Sequence, residues 1–526
     1  MLIHTMPVEK AALDLLNNHI MHCDASDWPM CLPGTREKIR QDIITWITTP
    51  SPQNILWLHG LAGSGKSTIA MTIAQHFYGL GRRGGFLFFK RALGHNTTGS
   101  IVRSLAAQLA DSDQLLRSHI SMAVDKNRQF LTTPLHAQFE ALLFQPLKEA
   151  AATLHGPIVI VIDALDEYGD IDSRKDLLPL IVEQFSQLPP MFRFLITSRP
   201  EQDIVAAFEP SKLSIVSMHL TADTDDIGDI RLYVTTELTK IAKSLPESLR
   251  VTYPGEGVVE RLSVQSEGLF IWASLAMNIL RKDHRQLERI LSSKNKGHQK
   301  PLDMLYTTAL EIVGSWHDGR EVQFREAVSI VLFSSKTLNE DDVDQLLELP
   351  EENSCHTLFS ALGALFDIVP GTRIRPLHAS FRDYLTDPAR SNGKPWSLVD
   401  FDAHGHLTAC CLRLMSKHLH FNMAKFDTPY RLNMEYKDLG RRITENISPT
   451  LQYATTEWLY HLISARCLDS EILPLLKSFS EGQMLFWLEV VNLLSWHNYA
   501  PTCHRVSQRI MVRLMLSCHN EHPIID

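Results

Sequence analysis

Disulfide spacing, membrane-length hydrophobic runs and basic clusters are all missing from this chain of 526 residues, and each gap closes off a class of protein. The eight cysteines (Cys23, Cys31, Cys355, Cys410, Cys411, Cys467, Cys503 and Cys518) include no C-x-x-C pair. That spread fits free thiols in a reducing compartment rather than a disulfide framework. The longest strongly apolar stretch, residues 268–280, falls short of the ~20 residues a membrane helix needs. No basic run exceeds two residues (among them Arg82-Arg83, Lys90-Arg91, Arg281-Lys282 and Arg441-Arg442), and the net charge is −9. Nucleic-acid binding generally needs a clustered basic stripe, so no DNA or RNA partner is expected. The first seven residues have neither a basic n-region nor an apolar h-region, so they are not a signal peptide. There is no H-E-x-x-H metal motif among the 24 histidines. These absences together point to a cytoplasmic, soluble chain.

Apolar residues make up 44% and charged residues 21% of the chain, the balance of an ordinary globular protein. At roughly 100–200 residues per domain, three or four domains are expected. Residues 7–20 and 37–47 carry apolar side chains at helical spacing. Strand-like runs follow at 55–58, 85–89, 157–162, 192–196 and 213–218, separated by helical segments. Strands apolar on both faces, alternating with helices, predict a parallel α/β sheet. Beyond about 222 the segments 223–243, 258–281 and 301–313 read as helices. Helical runs at 322–333, 339–347 and 355–362 then precede two short strands, 366–369 and 372–376, and a helix at 379–385, the outline of a winged helix. Residues 400–526, including 472–494, read as helices, with no internal repeat. The expected division is a short helical segment 1–30, a nucleotide-binding domain 31–222, a helical lid 223–318, a winged helix 319–390 and a helical region 391–526.

Gly60-Leu61-Ala62-Gly63-Ser64-Gly65-Lys66-Ser67-Thr68 fits G-x-x-x-x-G-K-[ST] between a strand and a helix. The glycines let successive backbone N–H groups turn inward on a phosphate, and the helix N-terminus adds partial positive charge. Lys66 is placed to bridge the β- and γ-phosphates, and the Ser67 hydroxyl to complete a Mg²⁺ shell. By chance such a pattern falls in roughly two chains per hundred of this length. The apolar run Ile158–Ile162 leads directly into Asp163-Ala164-Leu165-Asp166-Glu167. Asp163, at the end of a buried strand, suits the second Mg²⁺ contact. Asp166 and Glu167 follow where a carboxylate can aim at an attacking water, with Glu167 the candidate general base. A surface acidic turn capping the next helix is the competing reading.

In order, these landmarks resemble the NACHT class of STAND signalling NTPases, in its filamentous-fungal, nephrocystin-like form. Cys31-Leu32-Pro33-Gly34-Thr35-Arg36 resembles the motif ahead of the first helix. The stretches around Lys66 and Asp163 resemble Walker A and Walker B, and Phe194-Leu195-Ile196-Thr197-Ser198-Arg199-Pro200 the sensor strand. Residues 267–273 resemble the lid helix, 376–385 the winged-helix signature and 485–490 a late helical block. The resemblance implies an α/β P-loop NTPase domain followed by helical lid, winged-helix and all-α C-terminal domains. It implies that Arg199 senses the γ-phosphate, that His378 touches the β-phosphate of a resting diphosphate, and that Arg36 lies near the base or ribose. Against these stand an Arg199 paired with an acidic neighbour, a satisfied core His378 and an Arg36 that is only a helix-start charge. Arg91 is a weaker phosphate candidate. Gly268-Leu269 is followed by Phe270 where the family often has proline, which leaves ATP and GTP both open.

The expected function is a signalling switch that binds ATP or GTP with Mg²⁺, hydrolyses it slowly and changes conformation or assembly through protein partners and self-association. The alternatives are an NTPase driving another reaction and a nucleotide-holding scaffold. The Cys503-His504 and Cys518-His519 pairs lack zinc-ligand spacing. Cys410-Cys411 reads as packing, and Glu340-Asp341-Asp342 as a charged helix start.

Overall fold

The computed structural model describes residues 29–89, 98–127, 133–169, 171–209, 211, 215–220, 224–250, 252–292, 300–314, 316, 319–369, 371–428, 430–466 and 470–495, with Leu13 and Leu16. The chain divides into two compact units, 1–309 and 310–526. Most of the expected 7–20 helix, Arg91, Cys23, Cys467 and the two Cys-His pairs near the end lie outside the described residues.

The first unit is built on five parallel strands: β1 (Ile55–Gly60), β2 (Arg83–Phe88), β3 (Ile158–Asp163), β4 (Phe192–Ser198) and β5 (Ile215–Leu220), in the order β2-β3-β4-β1-β5. The central strands β1, β3 and β4 are buried along nearly their whole length because both faces are covered, whereas the edge strand β5 exposes Ser217 and His219. Ile55, Trp57, Ile158, Ile160, Ile162, Phe192, Phe194 and Ile196 point to one face, against Leu105, Ile120, Phe139 and Phe185. Their neighbours Leu56, Leu58, Val159, Val161 and Leu195 point to the other, against Ile43, Ile47, Ile69, Ile73 and Phe77. This period-two division assigns α1 (Glu37–Thr48) and α2 (Lys66–Gly79) to one face, and α3 (Thr98–Ser112) and α4 (Gln114–Lys126) to the opposite one. α5 (Ile171–Pro179) follows β3, and α6 (Gln202–Phe208) follows β4.

Three helices complete the described part that bears on the site: α7 (Thr224–Ser244), α8 (Val258–Gln265) and α9 (Phe270–Lys282). The single helix expected over 258–281 is thus two. Glu267 (φ 48°) and Gly268 (φ 78°) are both left-handed, which ends α8 and redirects the chain into α9. Apolar periodicity runs through the break because both helices bury a face, so the pattern conceals it.

In the second unit, α10 (Arg320–Phe333), α11 (Glu340–Leu346) and α12 (His356–Leu362) precede an antiparallel hairpin of β6 (Phe366–Val369) and β7 (Arg373–Pro376), then α13 (Ser380–Thr386). Asn339 and Asp342 form a reciprocal capping box at the start of α11. α14 (Ala403–His418) and α15 (Pro449–Ser464) follow. Thr450 Oγ1 donates to Asp342 Oδ1 (2.6 Å), and buried Glu457 accepts from Ser335 Oγ (2.6 Å) with Lys336 Nζ at 3.4 Å, so α15 is stitched to the α10–α11 segment. The helix expected over 472–494 breaks at Gly482-Gln483 into α16 (Ile472–Gly482) and α17 (Met484–Ser495). Glycine is a poor helix former, and the second helix restarts from Met484. Cys410 and Cys411 are buried in α14, where burial drives both thiols up, that of Cys410 to about 12, so they pack rather than react. No helix among the described residues is long and apolar enough to cross a membrane.

Burial lowers His404 and His406 of α14 to about 4, with Arg382 and Arg413 respectively adding to the effect. Both imidazoles are therefore neutral in the fold at pH 5, whereas in the unfolded chain they charge below about 6.5. Their contribution to stability is complete above about 6.5 and is lost as the pH falls toward 4, at roughly 1 kcal/mol per pH unit for each. Urea unfolding of the full chain followed at pH 7 and pH 5 is expected to show the second unit weaker at pH 5; an unchanged midpoint refutes this.

Candidate nucleotide-binding site

The loop between β1 and α2 carries the phosphate-binding geometry. Gly63 (φ 77°) and Gly65 (φ 96°) are both left-handed, and Gly65 caps α2. A Cβ at Gly65 would meet only open space, so backbone conformation, not crowding, demands glycine there. Lys66 Nζ donates to the carbonyls of Gly60 (2.9 Å) and Leu61 (2.8 Å), curling the ammonium over its own loop. Burial lowers it to about 8; Asp166 and Asp163 oppose that shift, and Arg199 adds to it. The ammonium thus lacks compensating negative charge, which a phosphate supplies. Ser64 Oγ is buried in the same loop without a hydrogen-bond partner. An orphaned hydroxyl, an under-compensated ammonium and a helix N-terminus all fit an anion such as a nucleotide's phosphates.

The acidic half lies at the ends of β3 and β4. Asp163 is fully buried, and burial raises its carboxyl against donors from Thr197 and Ser67. Thr197 Oγ1 donates to Asp163 Oδ1 and accepts from the Ala164 N–H (3.1 Å). Ser67 and Asp163 are thus already in contact, the pair of oxygen donors that a hard divalent cation such as Mg²⁺ takes beside phosphate. Ala164 is left-handed (φ 58°), which swings the chain into the short turn Leu165–Glu167. Asp166 is buried and binds Arg199 twice. Its Oδ1 accepts the Arg199 N–H (2.9 Å), and its Oδ2 lies 3.2 Å from Arg199 Nε. Glu167 is half-buried on the same turn, close enough to Lys66 to bear on its charge.

Helices α7 and α9 and the segment ahead of α1 reach the same loop. The Ile271 N–H donates to the Gly63 carbonyl (3.2 Å), and a Cβ on Gly63 would lie 2.0 Å from Ile271 Cγ2. Arg36, left-handed (φ 55°) and buried, donates from Nη2 to the Ser64 carbonyl (2.9 Å) and lies 4.9 Å over the Phe270 ring. Its N–H donates to Asp229 Oδ2 on α7 (2.8 Å). One guanidinium therefore joins the phosphate loop to α9, and its backbone joins both to α7.

Residues 34–199 match the nephrocystin 3 N-terminal family, a span that opens two residues before Arg36 and closes on Arg199. This stretch is a P-loop NTPase module of the NACHT type. No curated protein matches the chain. Among solved structures, a STAND protein with a tetratricopeptide repeat sensor from Pyrococcus horikoshii is 11% identical, with 94% of this chain and 67% of that one covered at a TM-score of 0.44. Drosophila ORC bound to GC-rich DNA and Cdc6 is 10% identical, covering 94% and 74% at a TM-score of 0.24. Overlays this loose carry nothing about function.

Within the NACHT-type module the structure brings together Gly60, Ala62, Gly63, Ser64, Gly65, Lys66, Ser67 and Thr68 on one loop and helix start, with Asp163, Asp166, Glu167 and Arg199 across the neighbouring strands. His378 belongs to the second unit. There its Nδ1 accepts from the Ser380 N–H (3.1 Å) at the start of α13 and lies 2.7 Å from Ser380 Oγ. Sequence reasoning passed over Thr197, whose hydroxyl holds the end of β3 to β4. The signal was a pair of hydroxyls, Thr197 and Ser198, at the end of a largely apolar buried strand, level with the acidic turn. Replacing it with valine leaves Asp163 short of a donor and the Ala164 N–H unpaired in a dry interior. Thr197→Val is expected to cost about 1–3 kcal/mol in urea unfolding; a loss below 0.5 kcal/mol, the scale of an ordinary surface change, refutes the coupling.

Proposed function

We propose that the protein is a nucleotide-operated signalling switch that takes ATP or GTP with Mg²⁺. The observation that carries this reading is the convergence on one loop of phosphate-seeking groups and lid contacts: Lys66, Ser64 and Ser67 face inward, while Arg36 and Ile271 grip the outer carbonyls of Ser64 and Gly63. Ser67 and Asp163 would hold the cation, which neutralises phosphate charge when bound. Lys66 would bind the β- and γ-phosphates in place of its own loop carbonyls. Glu167 would orient and deprotonate the attacking water, and Arg199 would report the γ-phosphate, with Asp166 governing where that arginine points. Hydrolysis then resets the switch slowly.

In this reading residues 31–222 are the nucleotide-binding domain, 223–318 the lid, 319–390 a winged helix and 391–526 a helical region. Three helices, the β6–β7 hairpin and α13 support the winged-helix assignment. Arg36 would lie near the base or ribose, with its Nη2 held by the Ser64 carbonyl and its N–H by Asp229. Protein partners and nucleotide-dependent self-association in the cytoplasm belong to the same reading. Moving a two-state population from 1:99 to 99:1 needs about 5.5 kcal/mol of differential affinity. A few charged phosphate hydrogen bonds at roughly 1.5–3 kcal/mol each are sufficient.

The Asp166–Arg199 pair favours one further reading, a scaffold that holds nucleotide without significant hydrolysis, because the sensor is engaged before any phosphate reaches it. Nucleotide released from the purified protein by heat, with Lys66→Ala as the blank, tests both: ATP, GTP or a diphosphate is expected from the wild type and none from the variant. Equal nucleotide content in the two sinks the reading. Glu167→Gln is expected to keep binding and to slow turnover about 100-fold or more; turnover equal to the wild type removes Glu167 from the role of base, and many cycles per second in the wild type removes the switch.

A further inference from the structure

Arg174 on α5 is used by none of the chemistry above, yet it is among the most thoroughly buried charges in the first unit. Its side chain is 6% exposed, and its partner Asp203, in the first turn of α6, is 18% exposed. Arg174 Nε lies 2.7 Å from Asp203 Oδ2 and Nη2 lies 3.3 Å from Oδ1, a two-pronged fork. The remaining nitrogen, Nη1, donates to the main-chain carbonyls of Asp166 (3.2 Å) and Tyr168 (3.4 Å), which flank Glu167. A surface fork would be worth little; one sunk between two loops and spent on carbonyls is a connector.

The contacts close a ring. From Arg174 the path runs to the Asp166 carbonyl, then through the Asp166 carboxylate to the N–H and guanidinium of Arg199. The backbone carries it on, with the Glu201 N–H on the Arg199 carbonyl (2.9 Å), to Asp203 and back to Arg174. The turn bearing Glu167 and the loop bearing Arg199 leave the sheet from adjacent strands whose register pairs Ile162 with Ile196, and beyond those ends only side-chain and turn contacts relate them. We infer that Arg174 is a positioning residue that locks these two loops into one block, so that the group aimed at the water and the group that reads the γ-phosphate move together. The inference rests on the switch reading for its catalytic consequence, and on the ring itself for its mechanical one.

Removing Arg174 alone strands the Asp203 carboxylate, so the paired change Arg174→Met/Asp203→Leu, which leaves no buried unpaired charge, is the main variant, with Arg174→Lys beside it. Amide hydrogen exchange of the full chain is the primary readout. In the paired variant, exchange is expected to rise about tenfold or more in both 164–168 and 199–203, and to stay unchanged in 60–68 and across β1. Acceleration in only one of the two segments, in neither, or throughout the sheet overturns the inference. The second readout is a split: kcat for ATP or GTP hydrolysis falls about tenfold or more while the Kd for a fluorescent ADP or GDP analogue stays within about twofold. Arg174→Lys, which keeps the charge but loses the fork, is expected to restore neither. An equal fall in affinity and rate overturns the positioning role. A wild type that binds nucleotide but does not turn over counts against hydrolysis, and one that binds none counts against the switch reading. In both cases the exchange result decides the ring by itself.

Discussion

The Thr197 hydroxyl, shared between the Asp163 carboxylate and the Ala164 N–H, is the contact on which the site's geometry depends. Because β4 lies between β1 and β3, the phosphate loop and the acidic turn never touch through the sheet. Besides the direct Ser67–Asp163 contact, what relates them is the end of β4, where Thr197 takes hold of β3 and the Ser198 hydroxyl accepts from Trp57 on β1 (2.8 Å). Three consecutive residues at the end of β4 thus address three places: Thr197 the acidic strand, Ser198 the loop strand and Arg199, just past the strand, the turn beyond. A buried charge such as Asp163 is tolerable only with donors around it, and those donors fix the spacing of everything above the sheet.

The segments around Arg36 and Ile271 contribute a second level. In the proposed switch they hold the carbonyls of Ser64 and Gly63 while the loop's N–H groups would take the phosphates, so the two sides of the same peptide units would be divided between helix α9 and nucleotide. A peptide plane that tilts to improve one set of hydrogen bonds degrades the other. That is the physical content of a switch: a small rotation with opposite consequences for two partners.

Much of this was legible in the chain itself. Five strands, their parallel arrangement and the loop from Gly60 to Thr68 follow from apolar runs and one motif, because a doubly covered strand leaves no polar alternation to misread. The helix ends were less legible: Glu267-Gly268 breaks a helix without interrupting its apolar period, and Gly482 does the same in the second unit. Long-range polar contacts were invisible. Nothing in the spacing of Arg174, Thr197 or Phe270 says which residue each will meet, since a guanidinium or hydroxyl looks the same on a surface and in a core. The expected roles of Arg36 and Arg199 met the same difficulty: both guanidinium groups are engaged by protein atoms, Arg36 by Ser64 and Phe270 and Arg199 by Asp166.

The seat of Ile271 against Gly63 is unequal in what it permits. A methyl group on the loop side would overlap the isoleucine and sit on a backbone conformation hostile to side chains, two independent penalties that no neighbour can relieve together. On the helix side a smaller residue at 271 leaves a gap against the loop, and a larger one has to find room elsewhere. Change at 271 is therefore milder than change at 63, and the tightness with which α9 rests on the loop is adjustable from one side only.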